Sequence, residues 1–227
     1  MAQHRGRGNP DPAAGQVAHA SPSLALLFAG VLLPLLGFGY VAYGVTSGSP
    51  FDFDRAVLLA LHRFARGDLD RAMIFFSHVG SWRGVLPVDV AVLGALVARR
   101  HARDAWFWIV AVGGASLLDQ LAKNLFARTR PDLWTSVAPE TTLSFPSGHA
   151  MQTMALVAAL LVLVWPTRWR VPLLVGGTLF VLVVGISRLY LGVHYPTDVL
   201  GGWLASLAWV IGAAMLLRRR VPRLPGR

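Results

Sequence analysis

The chain has 227 residues, 55% hydrophobic and only 14% charged, with mean hydropathy +0.54 and a formal net charge of +10. Soluble domains carry about 25% charged residues, so this composition reads as an integral membrane protein and leaves little length for a separate soluble domain. With no cysteine, disulfides, thiolate catalysis, zinc–cysteine sites and iron–sulfur clusters are excluded.

Residues 1–20 are rich in Gly, Pro, Ala and Arg without an apolar period, which predicts a disordered cytoplasmic tail. The apolar run from Leu24 to Val45 exceeds the roughly 7–15-residue core of a signal peptide and predicts a retained span. Between 51 and 83, charges such as Asp52, Asp54, Arg55, Asp68, Asp70 and Arg83 break up two short apolar stretches, Val57–Leu61 and Ala72–Phe76. Neither can cross a bilayer, so both are expected as amphipathic helices at the interface. Further spans are expected at Val85–Val97, interrupted by Pro87 and Asp89, and at Ala105–Phe126, Ala150–Trp165, Val171–Leu191 and Val199–Leu217. A span needs about 20 residues, so the second and fourth should extend into their flanks.

The expected fold is all-α: a six-transmembrane helix bundle with short amphipathic helices between spans one and two. The membrane domain would cover 21–218, and a basic cytoplasmic tail 219–227. Charge supports this topology. The proposed inner segments hold Arg5, Arg7, Arg99, Arg100, Arg103, Arg168, Arg170, Arg218, Arg219, Arg220, Arg223 and Arg227, and basic residues accumulate on the cytoplasmic side. Both termini are then cytoplasmic. The cations also suit anionic lipid headgroups. Scattered at helix ends rather than gathered in a stripe, they do not suit nucleic acid. No internal repeat supports a transporter-like inverted pair.

Three polar islands interrupt the apolar runs, and the topology puts all of them on the outer face. Lys123 and Arg130 lie seven residues apart, two helical turns if the helix continues, and Pro131 then stops it. Arg128 and Arg130 also fit as cations marking a helix C-terminus. Lys123 lies inside a span, where an ionisable residue points to function; Asp119, one turn earlier, is its alternative as a simple ion-pair partner. In Pro146-Ser147-Gly148-His149, Ser147 fits an N-cap, the free amides there suit an anion, and Gly148 permits close approach to a phosphate. An ordinary capped helix with a surface histidine fits the same four residues. In the third island, Arg188 ends span five, and His194, Pro196 and Asp198 follow. A first-turn Asp198 is favoured by the helix dipole alone. Read functionally, its carboxylate would hold one imidazole nitrogen and leave the other as a nucleophile.

Together the islands resemble, in order and internal spacing, the signature of the type 2 phosphatidic acid phosphatase (PAP2) family, which is itself similar to the vanadium haloperoxidases. The pattern is Lys, six residues, Arg-Pro; then Pro-Ser-Gly-His; then Ser-Arg, five residues, His, three residues, Asp, and this sequence matches every specified position between Lys123 and Asp198. The resemblance implies that His194 attacks phosphorus and forms a phosphohistidine, that Asp198 orients it, and that His149 protonates the leaving oxygen and then activates water. Lys123, Arg130 and Arg188, with the Ser147 hydroxyl and the Gly148 amide, would hold the phosphate oxygens. Three cations and no carboxylate cluster imply a reaction without Mg²⁺ or other metal, and no cofactor. His4, His19, His62, His78 and His101 are not expected in catalysis. The eight Trp are expected as interfacial belts, Trp134 being the one placed to touch a headgroup.

The expected function is hydrolysis of a lipid phosphate or diphosphate in the plasma membrane. The candidates are undecaprenyl diphosphate, phosphatidic acid and phosphatidylglycerol phosphate. A phosphotransferase using the same phosphohistidine, and a non-catalytic lipid-phosphate binding or transport protein, are the alternatives. The partners implied are the phosphorylated lipid and the surrounding membrane, with no nucleic acid; the sequence says nothing of oligomeric state.

Overall fold

The computed structural model describes residues 22–47 and 51–217. Both expected tails, with Arg5, Arg7 and the basic run from Arg218, lie outside the described residues. Among the described residues every regular element is a helix, and there are no strands. The helices are α1 Leu24–Thr46, α2 Asp52–His62, α3 Gly67–Gly80, α4 Trp82–Ala98, α5 Ala102–Phe126, α6 Gly148–Val164, α7 Arg170–Tyr190 and α8 Pro196–Leu217. α1 and α5 contain π-helical segments at Phe28–Leu32 and Ile109–Gly113.

Among the described residues, α1, α5, α7 and α8 are long and apolar enough to cross a membrane. α3 and α4 meet at a 40° bend and pass as a fifth span when taken together. α6 is apolar but only 17 residues long. Length and composition therefore give a multi-pass membrane protein with four or five candidate spans, and the expected count of six is not reached on those grounds. The second interfacial stretch also differs from expectation: Ala72–Phe76 belongs to α3, the first half of the bent pair. α3 runs along α7, and a Cβ at Gly80 would lie 2.3 Å from Val184, so the two backbones approach closely there. Pro87 and Asp89 do not interrupt α4, which continues through both.

α6 is the central helix, packed against α3, α4, α5, α7 and α8. Its buried face is built from small residues, Ala150, Ala155, Ala158 and Ala159 among them. Lipid tails are as apolar as leucine, so close van der Waals packing rather than water exclusion holds such helices together, and small residues permit it. Phe107, Trp108, Ala111 and Ala115 of α5 and Val210 and Ala213 of α8 complete this core. Two polar contacts tie helices together in this core: Ser206 Oγ donates to the Met151 carbonyl at 2.8 Å, and the Trp209 indole to the Val110 carbonyl in the π-helical segment at 2.9 Å. Leu36, Leu121, Leu125 and Leu179 point outward, as on a lipid-facing surface.

This packing gathers one end of the bundle. The C-termini of α5 and α7 and the N-termini of α6 and α8 meet there, under the 127–147 loop. Phe145 anchors that loop: it is fully buried, stacks on Phe38 of α1 at 5.8 Å, meets Phe126 edge-on at 5.0 Å, and sits against Gly201 of α8.

Candidate active site

α5 ends at Phe126, where the expected span ends, and does not continue toward Arg130. Ala127 takes a left-handed conformation (φ 48°), and its amide closes on the Lys123 carbonyl, so the helix stops at Phe126 rather than at Pro131. Lys123 and Arg130 therefore do not share a helical face. Lys123 projects from the last turn of α5 and pairs with Asp119 at 2.5 Å, the ion pair open as an alternative in the sequence. Arg130 is held by the loop instead. Its Nε donates to the Thr142 carbonyl at 2.6 Å, Nη1 to the Val193 carbonyl at 2.6 Å, and Nη2 to Thr142 Oγ1 at 2.8 Å.

That clamp aims Arg130 Nη1 at Nε2 of His194, 3.0 Å away. Nε2 then accepts, which assigns the ring proton to Nδ1. Nδ1 faces Asp198 Oδ2 at 3.5 Å and Ser144 Oγ at 3.5 Å, and Ser144 Oγ donates to the same Oδ2 at 2.5 Å. The expected Asp198–His194 link is thus long, with Ser144 beside it. Asp198 Oδ2 also accepts the Tyr195 amide at 2.8 Å, and Oδ1 accepts from Arg128 at 2.6 Å. His194 lies in the loop between α7 and α8 and is enclosed. Burial, then the charges of Arg130, Arg188 and Lys123, hold its imidazole well below the ordinary 6.5. The ring is neutral near pH 7.

The second island starts α6 as expected, with Ser147 in extended conformation at the N-cap position. Its hydroxyl makes no cap bond, however; Oγ is buried without a hydrogen-bond partner. A Cβ on Gly148 would lie 2.9 Å from Asp119 Oδ2 and 3.0 Å from Lys123 Nζ, so this position brings the helix N-terminus and the Lys123 ammonium together only because it is glycine. His149 follows within electrostatic reach of Arg188, His194, Lys123 and Arg130. Arg188 is buried at the end of α7, where Nη2 meets Glu140 Oε1 at 2.5 Å, Nη1 meets Ser77 Oγ of α3, and Nε has no partner. Glu140 Oε2 also lies 3.8 Å from Arg130.

All eight residues expected from the sequence therefore come to one end of the bundle. Five residues that the sequence analysis did not assign to the site join them: Asp54, Ser77, Arg128, Glu140 and Ser144. Arg128 was indistinguishable from a helix-end cation, and Glu140 and Ser144 sit in a loop without period. Asp54 was expected on an interfacial helix but is buried. Trp134, expected to face lipid, stacks on His62 at 4.0 Å and packs against Gly192, whose φ of +69° suits glycine.

The PAP2 superfamily matches this chain over residues 104–222, which contain all three islands. Phosphatidylglycerophosphatase B of Bacillus subtilis (strain 168) is 31% identical over 178 residues, covering 76% of this chain and 87% of that protein. The decaprenylphosphoryl-5-phosphoribose phosphatase of Mycobacterium tuberculosis (strain ATCC 25618 / H37Rv) is 36% identical over 145 residues, 61% of this chain and 72% of that one. Among solved structures, a transmembrane PAP2-type phosphatidylglycerolphosphate phosphatase from Bacillus subtilis superposes with a TM-score of 0.76 at 25% identity, over 85% of this chain and 98% of its own. With the family matched over more than half of the chain and a relative aligned over most of both sequences, the chain belongs to the PAP2 superfamily.

Proposed function

We propose that this protein is a membrane lipid phosphatase that removes phosphate from a lipid phosphate or diphosphate through a phosphohistidine on His194. The observation that carries the reading is the orientation of that ring. Nε2 is unprotonated and faces the cationic end of the site, while Nδ1–H is directed at Asp198 and Ser144. In the first step the Nε2 lone pair forms an N–P bond as the P–O bond to the lipid breaks, and His149 gives a proton to the departing oxygen. In the second, His149 takes a proton from water, whose oxygen attacks phosphorus and breaks the N–P bond, releasing phosphate. Asp198 balances the charge that the ring gains.

Phosphoryl transfer depends on positioning and on neutralising the equatorial oxygens. Lys123, Arg130 and Arg188 carry the charge for this. The unpartnered Ser147 Oγ and Arg188 Nε are donors free to meet those oxygens, as is the α6 N-terminus at Gly148. Every group assigned to the phosphate is cationic or a neutral donor, so the reaction needs no divalent metal.

The reading extends to topology. α6 would be a crossing in addition to the five candidates, since it is apolar and buried in the middle of the bundle, giving six spans in one PAP2-like domain over 21–218. The α4–α5 turn carries Arg99 and Arg100, and the α6–α7 turn carries Arg168; both lie at the far end of their helices from the site. Basic turns mark the cytoplasmic side, so the site faces outward and both termini lie inside. The substrate is a phosphorylated lipid of the plasma membrane: phosphatidylglycerol phosphate and polyprenyl phosphates, in line with the names of the relatives, or phosphatidic acid.

The test is phosphate release by purified protein in EDTA from a panel of phosphatidylglycerol phosphate, undecaprenyl diphosphate and phosphatidic acid, with vanadate as inhibitor. Release from at least one, blocked by vanadate, is expected. Transfer of label to an organic acceptor with little free phosphate would make the protein a phosphotransferase, and silence on all three would remove the reading.

A further inference from the structure

A charge chain runs behind His194, and two of its members, Arg128 and Asp54, are not among the eight residues assigned to the site from the sequence. Arg128, the second residue past the end of α5, points its guanidinium away from the phosphate-facing cations and into the bundle. Nη1 donates to Asp198 Oδ1 at 2.6 Å and to Thr197 Oγ1 at 2.7 Å, and Nη2 donates to Asp54 Oδ2 at 3.0 Å. The guanidinium also lies over the Tyr195 ring, 4.0 Å from its centroid. Asp54, from the first turn of α2 and only 2% exposed, accepts in addition the Thr197 amide at 3.0 Å and the Thr197 hydroxyl at 2.6 Å. The order is Asp54, Arg128, Asp198, then Nδ1 of His194, with charge alternating along it.

Two features separate this arrangement from an ordinary buried clamp. First, Asp198 is 0% exposed, and a carboxylate so enclosed is strongly unfavourable unless paired and fully hydrogen-bonded. Its ion-pair partner on the side away from His194 is Arg128. Second, Arg128 acts on the site twice. Its side chain takes Oδ1 of Asp198, leaving Oδ2 to Ser144 and the imidazole, and its carbonyl accepts the Ser144 amide at 2.8 Å, fixing the loop that carries that hydroxyl. Arg128 in turn is matched by Asp54, so α2 reaches the reaction centre through one carboxylate.

We propose that Arg128 and Asp54 are positioning residues for the phosphoryl-transfer step: Arg128 sets the rotation and charge balance of Asp198 against His194, and Asp54 holds Arg128 in place. This rests on the reading of His194 as nucleophile. As Nε2 bonds to phosphorus the ring becomes cationic while keeping its Nδ1 proton, and Asp198 stabilises that charge only if Oδ2 faces it. The proton does not move to Asp198. The chain would then affect the rate of phosphorylation and not the grip on the phosphate, which belongs to groups on the other side of the ring.

The experiment compares wild type, Arg128→Ala, Arg128→Lys, Asp54→Asn, Asp198→Asn and the Arg128→Ala/Asp198→Asn double variant, purified in detergent. It measures kcat and KM for whichever lipid phosphate the wild type hydrolyses, and the thermal midpoint. A group displaced by about 1 Å can cost about 10²-fold, so Arg128→Ala should lower kcat on that order and leave KM within about 3-fold. Arg128→Lys should recover part of the loss, since one ammonium can reach Asp198 but cannot fork to Asp54 as well. Asp54→Asn should cost less than Arg128→Ala. The double variant should be no slower than Asp198→Asn alone, because residues acting as one unit do not add. Wild-type kcat in Arg128→Ala, or multiplied losses in the double variant, would overturn the proposal. So would a fall in kcat matched by an equal loss of folded protein with no rescue by Lys, the signature of a structural clamp. If Arg128→Ala does not fold, Arg128→Gln, which keeps hydrogen-bonding capacity without charge, carries the same comparison. A different failure marks the underlying reading: if His194→Ala turns over like wild type, the nucleophile is wrong whatever Arg128 does.

Discussion

Arg130 and His194 meet inside the site, with a guanidinium nitrogen 3.0 Å from Nε2 of the imidazole. The contact has two consequences. It assigns the proton to Nδ1, and it keeps a permanent cation beside Nε2 that would turn to a phosphoryl oxygen as phosphorus takes its place on the lone pair. The same side chain is therefore assigned to prepare the nucleophile and to receive the charge that its reaction moves.

The first prediction concerns pH. Burial, together with Arg130, Arg188 and Lys123, depresses the His194 imidazole well below 6.5. With His194 as the proposed nucleophile the neutral ring is the reactive form, so protonation would remove activity only below that depressed value. kcat/KM should not fall through pH 6.5 on account of His194. Lipid phosphates lose their own second proton near pH 6, so the informative quantity is the ratio of Arg130→Ala to wild type on one substrate. Removing that cation lets the His194 pKa rise, and the ratio should drop as pH is lowered from about 7 to about 5.5. A flat ratio would mean that Arg130 does not tune the ring.

Two glycines test the packing around the site, with opposite readouts. A methyl on Gly148 would collide with the Asp119–Lys123 pair, which are side-chain ends able to shift. Gly148→Ala should therefore fold normally but lose roughly 10-fold or more in kcat/KM through misplaced donors. A methyl on Gly202 would lie 2.8 Å from the Ser147 carbonyl and 3.0 Å from Ala150 Cβ. Neither neighbour can turn away, so Gly202→Ala should destabilise by roughly 1–3 kcal/mol, the cost of overpacking. Thermal unfolding in detergent alongside steady-state kinetics separates the two.

Glu140 is expected to compete with the phosphate of the substrate. Its carboxylate spans Arg188 at 2.5 Å and Arg130 at 3.8 Å, two of the cations assigned to phosphate. Glu140→Gln removes the competing charge and keeps the shape, so vanadate should inhibit the variant several-fold more tightly than wild type. Weaker inhibition would instead make Glu140 a support that holds the arginines in place.

Topology is directly accessible because the chain has no cysteine of its own. A single cysteine at Asp132, in the loop over the site, should react with an impermeant maleimide added to intact cells. One at Thr167, in the α6–α7 turn, should react only after permeabilisation. The reverse pattern would invert the orientation.

Most of the helical architecture was legible in the sequence, and so was the motif whose eight residues the structure gathers at one end of the bundle, because apolar runs and motif spacing are local signals. What it missed was set by packing across the bundle. The α3–α4 bend lies at a helix junction, and α3 is held by α7, more than a hundred residues later. Pro87 stays helical within α4. Asp54 has the composition of an interfacial helix, yet its partners are Arg128 and Thr197, far along the chain. Arg128 and Arg130 are equivalent as helix-end cations; a left-handed Ala127 turns one toward Asp198 and the other toward His194.

His194 is the residue proposed to carry the phosphoryl group. The most direct measurement of this is a rapid quench of wild type, His149→Ala and His194→Ala with ³²P-labelled lipid phosphate, scoring protein-bound label for stability to base and lability to acid. The account predicts base-stable, acid-labile label on wild type. On His149→Ala, which lacks the acid for the first step and the base for the second, it predicts label that forms more slowly and persists longer, and on His194→Ala no label and no phosphate release. Normal turnover by His194→Ala, or label on that variant, would contradict it.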